Sequence, residues 1–181
     1  VLGRVSVIWD RRLGFLNKMM SSPISRAAIP LGKILAVVIQ TSFQVTLIAV
    51  IAVAMGVKFA AGMPGFLVIL LFSMIFCSIM ASISLSLASV IKSHEALFAV
   101  INFLTMPLMF TSNAMFPKEA MPAWLKVVAG WNPVSYAVTP IRSLVIKGWS
   151  WGEIIPGLII LTLTACVMIA VSIRQFNKTI A

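Results

Sequence analysis

Acidic side chains are scarce in this chain, whose 181 residues include only four Asp and Glu together, one His and two Cys. Groups so few and so widely separated do not form a zinc motif, a nucleophile triad or a pair of catalytic carboxylates. Gly32-Lys33 is similar to part of a phosphate-binding loop, but Ala27 replaces its first glycine and Ile34 its Ser or Thr. We therefore predict no catalytic site, no bound metal and no cofactor in this chain.

Charged residues make up only 10% of the chain and hydrophobic residues 61%, whereas soluble domains average about 25% charged residues. Because a helix needs about 20 mainly apolar residues to cross a bilayer, each long uncharged run is a candidate span. Four runs qualify, at residues 34–57, 59–91, 96–117 and 154–173. The composition therefore predicts a membrane protein.

Basic residues give a net charge of +10, and most of them flank the uncharged runs. They do not form a stripe with interleaved aromatic residues, so nucleic acid is not a predicted partner. Under the positive-inside rule the more basic side is cytoplasmic, which places both ends of this chain in the cytoplasm of a multi-pass protein. The nine residues assigned to that side are Arg4, Arg11, Arg12, Lys18, Arg26, Lys33, Lys92, Arg174 and Lys178.

The predicted architecture is a single all-α integral membrane domain, a polytopic bundle of four complete transmembrane helices. The predicted spans are residues 34–56, 65–91, 96–112 and 153–173. The remaining segments are 1–8, the end of an earlier span; 10–25, a cytoplasmic amphipathic segment; 113–150, an outer loop; and 174–181, a cytoplasmic tail. Because the chain starts with Val1 inside an apolar stretch, we expect it to be part of a longer protein.

The outer loop carries apolar residues at helical spacing, which predicts two short amphipathic helices that lie on the outer surface or re-enter the membrane. Their apolar positions are Met121, Trp124, Leu125 and Val128, and then Ala137, Ile141, Leu144 and Val145. Ser150 and Glu153 match a capping box, which predicts that each side chain bonds the other's backbone N–H.

Polar residues inside the spans have two interpretations. Gln40 and Gln44, one helical turn apart, either form interhelical hydrogen bonds or line a substrate path. Asn102, Met106, Pro107 and Phe110 in the third span are candidates for lining the same path, although a proline kink also occurs for packing reasons alone. A serine stripe at residues 78, 82, 86 and 89 predicts a seam where another helix approaches closely.

Two stretches carry a family resemblance. The first is DRRLGFL at 10–16 with SPISR at 22–26; the second is NAMFP at 113–117, MPAWL at 121–125, NPVSY at 132–136 and Arg142. Together they resemble the permease subunits of ABC-2 type ATP-binding-cassette exporters, particularly the daunorubicin-resistance-like drug exporters. Order and spacing agree over essentially the whole chain, which corresponds to the last four of the family's six spans.

The resemblance implies roles for two sets of residues. The cytoplasmic set would dock on an ATPase subunit, although the same basic segment would also suit anionic lipid; the outer set would shape a cap over the pathway. The docking set is Asp10, Arg11, Arg12, Leu13, Gly14, Phe15, Leu16, Lys18 and Pro23. The outer set is Phe116, Pro117, Trp124, Asn132, Pro133, Tyr136 and Arg142.

The function implied is that of a permease subunit in the plasma or inner membrane, which exports a hydrophobic or amphiphilic, drug-like or lipid-like substrate. ATP would be bound and hydrolysed by a cytoplasmic partner subunit, and a second permease copy or a homologue would complete the pathway. An alternative is a non-transporting membrane assembly protein of a lipid-handling or secretion complex. A secondary transporter is disfavoured, because inverted repeats and acidic residues at mid-membrane are not evident.

Overall fold

The computed structural model describes residues 28–91, 93–115 and 121–180, and within these ranges the secondary structure is entirely helical. The helices are α1 (Ala28–Ala54), α2 (Gly62–Val90), α3 (His94–Phe110), α4 (Ala123–Trp131), α5 (Pro133–Ile146) and α6 (Trp151–Ile180). Helices satisfy every backbone polar group within one segment, which an apolar environment requires. The predicted all-α polytopic membrane fold is confirmed.

Among the described residues, three helices are long and apolar enough to cross a membrane: α1, α2 and α6. They contain 27, 29 and 30 residues, and their most apolar windows have mean hydropathies of 2.2, 2.6 and 2.6. Each begins before the corresponding predicted span at 34, 65 or 153, and α6 continues past 173. The uncharged runs therefore located these helices, but the helices extend into the flanking sequence.

Helix α3 is as long as the span predicted at 96–112, but it begins and ends two residues earlier. It contains 17 residues, about 25 Å at 1.5 Å per residue, and it ends at Phe110. Ser93 caps its start, because the Ser93 side chain accepts a hydrogen bond from the Ala96 N–H at 3.2 Å. Pro107 lies within the helix without ending it, and the residues at the end of α3 form hydrogen bonds with Asn132 at the start of α5.

Helix α2 is the centre of the bundle and packs along α6, α1 and α5. Phe72 and Ile79 of α2 are fully buried in a core that also contains Leu144 of α5 and Leu161 of α6. A second cluster joins α1, α2 and α3 through residues that include Ile34, Leu85 and Leu97. Tight apolar packing therefore concentrates on one side of α1 and α3 and leaves the rest of both helices open.

The serine stripe of α2 is largely buried, since Ser78, Ser82 and Ser89 are each at most 9% exposed. Their hydroxyls donate to carbonyls of the same helix, as Ser82 Oγ does to the Ser78 carbonyl at 2.7 Å. The hydroxyls therefore need no partner on another helix, and α2 presents small side chains with satisfied hydrogen-bond donors to its neighbours. These positions agree with the predicted packing seam.

Helix α5 lies between α2 and α6 instead of outside them. At its C-terminal end, the N–H groups of Ala60 and Ala61 donate to the carbonyls of Val145 and Leu144, both at 3.1 Å. Nearer its start, α5 lies against Gly157 of α6 and Phe72 of α2. Since Phe72 lies about 15 Å along α2 from the start of that helix, α5 packs well inside the bundle, as expected for re-entry, one of the two arrangements predicted for the outer loop. We refer to α4 and α5 together as the re-entrant segment.

Gly157 allows this close approach of α5 and α6. A Cβ atom built on Gly157 would lie 2.8 Å from Pro140 Cγ, 3.0 Å from the Tyr136 carbonyl oxygen and 3.3 Å from Phe72 Cε1. Real Cβ atoms do not tolerate such distances, and overpacking of a tight site forces backbone shifts. A glycine at this position is therefore a packing requirement of the re-entrant segment.

We expect Gly157→Ala to destabilise the fold by about 1–3 kcal/mol, because the added methyl group overpacks the α5–α6 contact. The measurement is the midpoint of thermal unfolding of the detergent-solubilised protein. Gly152→Ala is the matched control on the same helix, since a Cβ at Gly152 has no neighbour within 4 Å. Equal midpoints for the two variants would contradict the packing role of Gly157.

Candidate functional site

The predicted ATPase-docking residues, from Asp10 to Pro23, lie outside the described residues, as do Phe116 and Pro117 of the outer set. Their roles stay predictions. The other predicted residues fall on α1, on α3 and on the re-entrant segment. Two regions of the described structure bring several of them together, namely the contact between α3 and α5 and the open face of α3.

Asn132 joins the end of α3 to the start of α5. Its Oδ1 accepts a hydrogen bond from the Val134 N–H at 2.9 Å, which caps the N-terminus of α5. Its Nδ2 donates to the Leu108 carbonyl at 2.7 Å and to Thr111 Oγ1 at 3.0 Å. The side chain is only 4% exposed, so a single buried amide satisfies polar groups of both helix ends.

A second set of hydrogen bonds holds the turn after α3 along α5. The Asn113 backbone N–H donates to Ser135 Oγ at 3.3 Å, and Asn113 Nδ2 donates to Thr139 Oγ1 at 2.6 Å. Arg142 Nη2 donates to the Ala114 carbonyl at 3.3 Å. We refer to Thr111, Asn113, Asn132, Ser135 and Thr139 together as the α3–α5 junction. The junction is a polar network within the bundle, and it couples the position of α3 to that of the re-entrant segment.

Pro133 and Tyr136 shape the turn from α4 to α5. Pro133 is the first residue of α5, where its fixed φ favours the helix and its missing N–H costs nothing. Tyr136 Oη donates to the Gly130 carbonyl at 2.6 Å, which ties α5 to the last turn of α4. Thus Asn132, Pro133, Tyr136 and Arg142, four members of the predicted outer set, lie within or beside the α3–α5 junction.

The open face of α3 carries a groove of about 230 Å³. Asn102, Met106 and Phe110, all predicted to line a path, share this groove. Sequence reasoning missed the other three lining residues, Thr105, Met109 and Met115. For Thr105 and Met109 the missed signal is their spacing of three residues from Asn102 and Met106, which places them on the same helical face. We call this feature the α3 groove.

The α3 groove is apolar, flexible and open. Met106 is 65% exposed and Phe110 is 51% exposed, and Thr105 Oγ1 donates to the Ile101 carbonyl of its own helix at 2.7 Å. The Asn102 amide is exposed on the same face. Methionine side chains adapt to partners of different shape, so the groove suits a bulky apolar ligand with a polar group. Pro107 lies on α3 but not in the groove.

The two glutamines of α1 occupy a different surface. Gln40 and Gln44 are exposed, and neither is among the residues that line the α3 groove. Hydrogen bonds between α1 and α2 instead involve Cys77, whose Sγ lies 2.9 Å from Oγ1 of the intervening Thr41 and donates to the Val37 carbonyl at 3.9 Å. Among the described helices, contacts of Gln40 and Gln44 therefore support neither interhelical hydrogen bonding nor lining of the path. Both amides face outward from this bundle.

Exposed tryptophans are a further feature of the re-entrant side. Trp124, of the predicted outer set, and Trp131 are exposed on α4, and the Trp149 and Trp151 rings stack with centroids 5.2 Å apart. Beside them, Ser150 Oγ donates to Glu153 Oε2 at 3.3 Å, and the Glu153 N–H donates to the Ser150 carbonyl at 3.1 Å. The two residues therefore interact through their side chains, unlike the reciprocal backbone bonds of the predicted capping box.

The family model for the ABC-2 type transporter matches residues 1–146 of this chain, which is well over half of its length. The chain belongs to the ABC-2 type transporter family. The family suggested by residues 10–26 and 113–142 is thereby confirmed. The match includes the docking residues predicted from the sequence and also α1 to α5, so the α3 groove and the α3–α5 junction both lie in the matched region.

Curated relatives support the same family. The chain is 34% identical over 142 residues to "Putative transport permease ycf38" of Cyanophora paradoxa, which covers 76% of this chain and 48% of that protein. It is 25% identical over 181 residues to "Probable multidrug ABC transporter permease YbhR" of Escherichia coli K12, which covers 97% of this chain and 48% of that protein. It is 23% identical over 173 residues to "Probable doxorubicin resistance ABC transporter permease protein DrrC" of Mycobacterium tuberculosis, covering 92% and 60%.

The chain thus spans about half the length of the curated relatives it matches, 48% to 60% of each of these three. No solved structure matches it. The arrangement of the helices is therefore derived from the chain's own geometry, and the family assignment rests on sequence.

We expect Asn132→Ala to destabilise the protein by about 1–3 kcal/mol, since it removes the α5 cap and leaves the Leu108 carbonyl without its amide donor. Thermal unfolding in detergent measures the effect. Asn132→Asp separates the contribution of the cap from that of the bond to Leu108, because a carboxylate still caps α5 but cannot donate to the Leu108 carbonyl. Asn102→Ala is the control at an exposed asparagine of α3. A loss as large for Asn102→Ala would contradict the importance of the junction.

Proposed function

We propose that this chain is the membrane-spanning permease subunit of an ATP-binding-cassette exporter. Family membership carries the proposal, and it is supported by the α3 groove, a ligand-sized apolar surface on a helix that the rest of the described bundle leaves open. The chain acts as a transport subunit with no catalytic site of its own, and a cytoplasmic ATPase partner binds and hydrolyses ATP. The substrate is a hydrophobic or amphiphilic molecule, drug-like or lipid-like, that leaves the cell.

The open surfaces favour a second permease copy, or a homologue, as the partner that completes the pathway. Only 6% of the most apolar window of α1 is buried, and α3 is packed mainly at its N-terminal half through Leu97 and Ile101. An exposed asparagine and two exposed glutamines on these helices would lack polar partners in lipid, where buried amides are costly. A pathway between two subunits would give Asn102 a polar environment, and contact with neighbouring protein would give Gln40 and Gln44 theirs.

The orientation follows from the charge distribution. With both ends of the chain in the cytoplasm, α1 and α3 run outward, α2 and α6 run inward, and the re-entrant segment inserts from the outer side. The α3–α5 junction then lies towards the outer end of the pathway. Since the junction ties α3 to α5 by hydrogen bonds, movement of α3 during transport would also move the re-entrant segment.

The docking of the ATPase is tested at the cytoplasmic segment. We expect Leu16→Asp to abolish co-purification of the ATPase partner while leaving membrane insertion intact, because a charge replaces an apolar anchor in the docking surface. Pull-down of the full-length tagged protein from its native membrane, followed by mass spectrometry, is the measurement. Val128→Asp is the control, since Val128 is exposed on α4 of the outer side.

The possible outcomes separate the functional interpretations. Loss of an ATP-binding-cassette ATPase with Leu16→Asp but not with Val128→Asp would support the proposed docking segment. An ATPase retained by Leu16→Asp would exclude that segment. Reproducible absence of any ATPase from folded unmodified protein would favour the alternative, a non-transporting membrane assembly protein.

The α3 groove is tested with a matched pair of phenylalanines on one helix. Phe110 lines the groove, whereas Phe103 is 78% exposed and does not line it. We expect Phe110→Ala to raise the half-saturating concentration for efflux about three- to tenfold, as removal of about 1 kcal/mol of apolar contact predicts. The measurement is efflux of doxorubicin from cells, since the name of one relative contains this compound. An equal effect of Phe103→Ala would contradict a specific role for the groove.

A further inference from the structure

A second cleft lies between the α4–α5 turn and the first two turns of α6. Its volume is about 170 Å³, and it shares no lining residue with the α3 groove. Gly130, Tyr136, Gly152, Glu153 and Gly157 are among the residues that line it. Three of these are glycines, so much of the wall is backbone that a ligand can approach closely.

Among the described residues that line this cleft, Glu153 is the only one with a charged side chain, and no lysine or arginine is included with it. The Glu153 side chain is half-buried in the third position of α6, where the helix dipole stabilises a carboxylate. Ser150 Oγ donates one hydrogen bond to its Oε2 at 3.3 Å. Because a carboxylate accepts about four hydrogen bonds, most of its acceptor capacity remains for a ligand.

Two prolines add backbone acceptors to the same wall. Pro140 has no N–H to donate to the Tyr136 carbonyl four residues earlier, and Pro156 likewise has none for the Gly152 carbonyl. Tyr136, Pro140, Gly152 and Pro156 all line the cleft. The Tyr136 carbonyl oxygen faces Gly157, because it lies 3.0 Å from the Cβ position of that glycine. The cleft therefore combines one carboxylate with two carbonyls that lack their usual helical donors.

We propose that this cleft binds the ammonium group of an amphiphile, with Glu153 as the anionic acceptor and the Gly152 carbonyl as a supporting acceptor. A primary ammonium has three N–H donors and no acceptor, which matches a wall rich in acceptors and free of cationic side chains. Hydrogen bonds to a charged group are about twice as strong as neutral ones. The ammonium is carried either by a membrane lipid headgroup or by another amphiphile, since both present the same chemistry.

Binding is tested with the full-length protein in dodecyl maltoside without nucleotide, so the result does not depend on the proposed transport function. The probe is a dansyl-labelled alkyl chain that ends in a primary amine, and its partner probe ends in a hydroxyl. Energy transfer from tryptophan to dansyl reports binding. We expect saturable binding of the amine probe only, and an increase of at least tenfold in its Kd with Glu153→Gln.

Two further variants serve as controls. Glu95→Gln is the matched control, because Glu95 is an exposed glutamate in the first turn of α3, and it should leave the Kd unchanged. Glu153→Asp keeps the carboxylate and should bind the amine probe more tightly than Glu153→Gln does, which separates the loss of charge from any loss of folding. Equal binding of the two probes, an unchanged Kd with Glu153→Gln, or equal weakening with Glu95→Gln would overturn the proposal.

Competition by lipids distinguishes the two sources of the ammonium group. Displacement of the amine probe by phosphatidylethanolamine but not by phosphatidylglycerol would support the site with a lipid headgroup as its ligand. Displacement by neither lipid, with the tenfold effect of Glu153→Gln retained, would support the site with a different amphiphile as its ligand. Equal displacement by both lipids would contradict ammonium recognition, since phosphatidylglycerol carries no amine.

Discussion

The hydrogen bonds of Asn132 connect two helix ends that an apolar environment would otherwise leave with unmet backbone groups. Its amide caps α5 and satisfies the Leu108 carbonyl near the end of α3, 24 residues earlier in the chain. In a membrane such groups have no water to bond, so the ends of a short helix and of a re-entrant helix need protein partners. Asn132 supplies such partners to the end of α3 and to the start of α5.

The same contact gives the bundle two different sides. Helix α2 packs against α1, α5 and α6, with Phe72 and Ile79 fully buried, whereas the α3 groove and most of α1 stay open. Gly157 brings α5 against α6, and it also lines the acidic cleft. The re-entrant segment thus lines the acidic cleft and, through the α3–α5 junction, contacts the end of the helix that carries the apolar groove, so a conformational change of that segment would affect both.

Much of the fold was predictable because membrane solvation acts on local sequence. Uncharged runs located α1, α2 and α6, and helical periodicity located α4 and α5. The site was less predictable. Asn102, Met106 and Phe110 were predicted to line a path together with Pro107, which lies outside the groove, but Asn113, Ser135 and Thr139 were not connected, because their partners lie more than 20 residues away in the chain. Polar residues at that separation carry no periodic signal.

The sequence by itself determined that this protein is an all-helical membrane protein of the ABC-2 type, since hydropathy, charge placement and short motifs are properties of local sequence. Tertiary structure alone decided that α3 ends at Phe110 and that Gln40 and Gln44 face away from the bundle. It also decided that Glu153 lies in a cleft with two carbonyls whose usual helical donor is replaced by a proline. The physical reason is that burial and hydrogen-bond partners are set by which helices pack together, and packing depends on side-chain shape across distant segments.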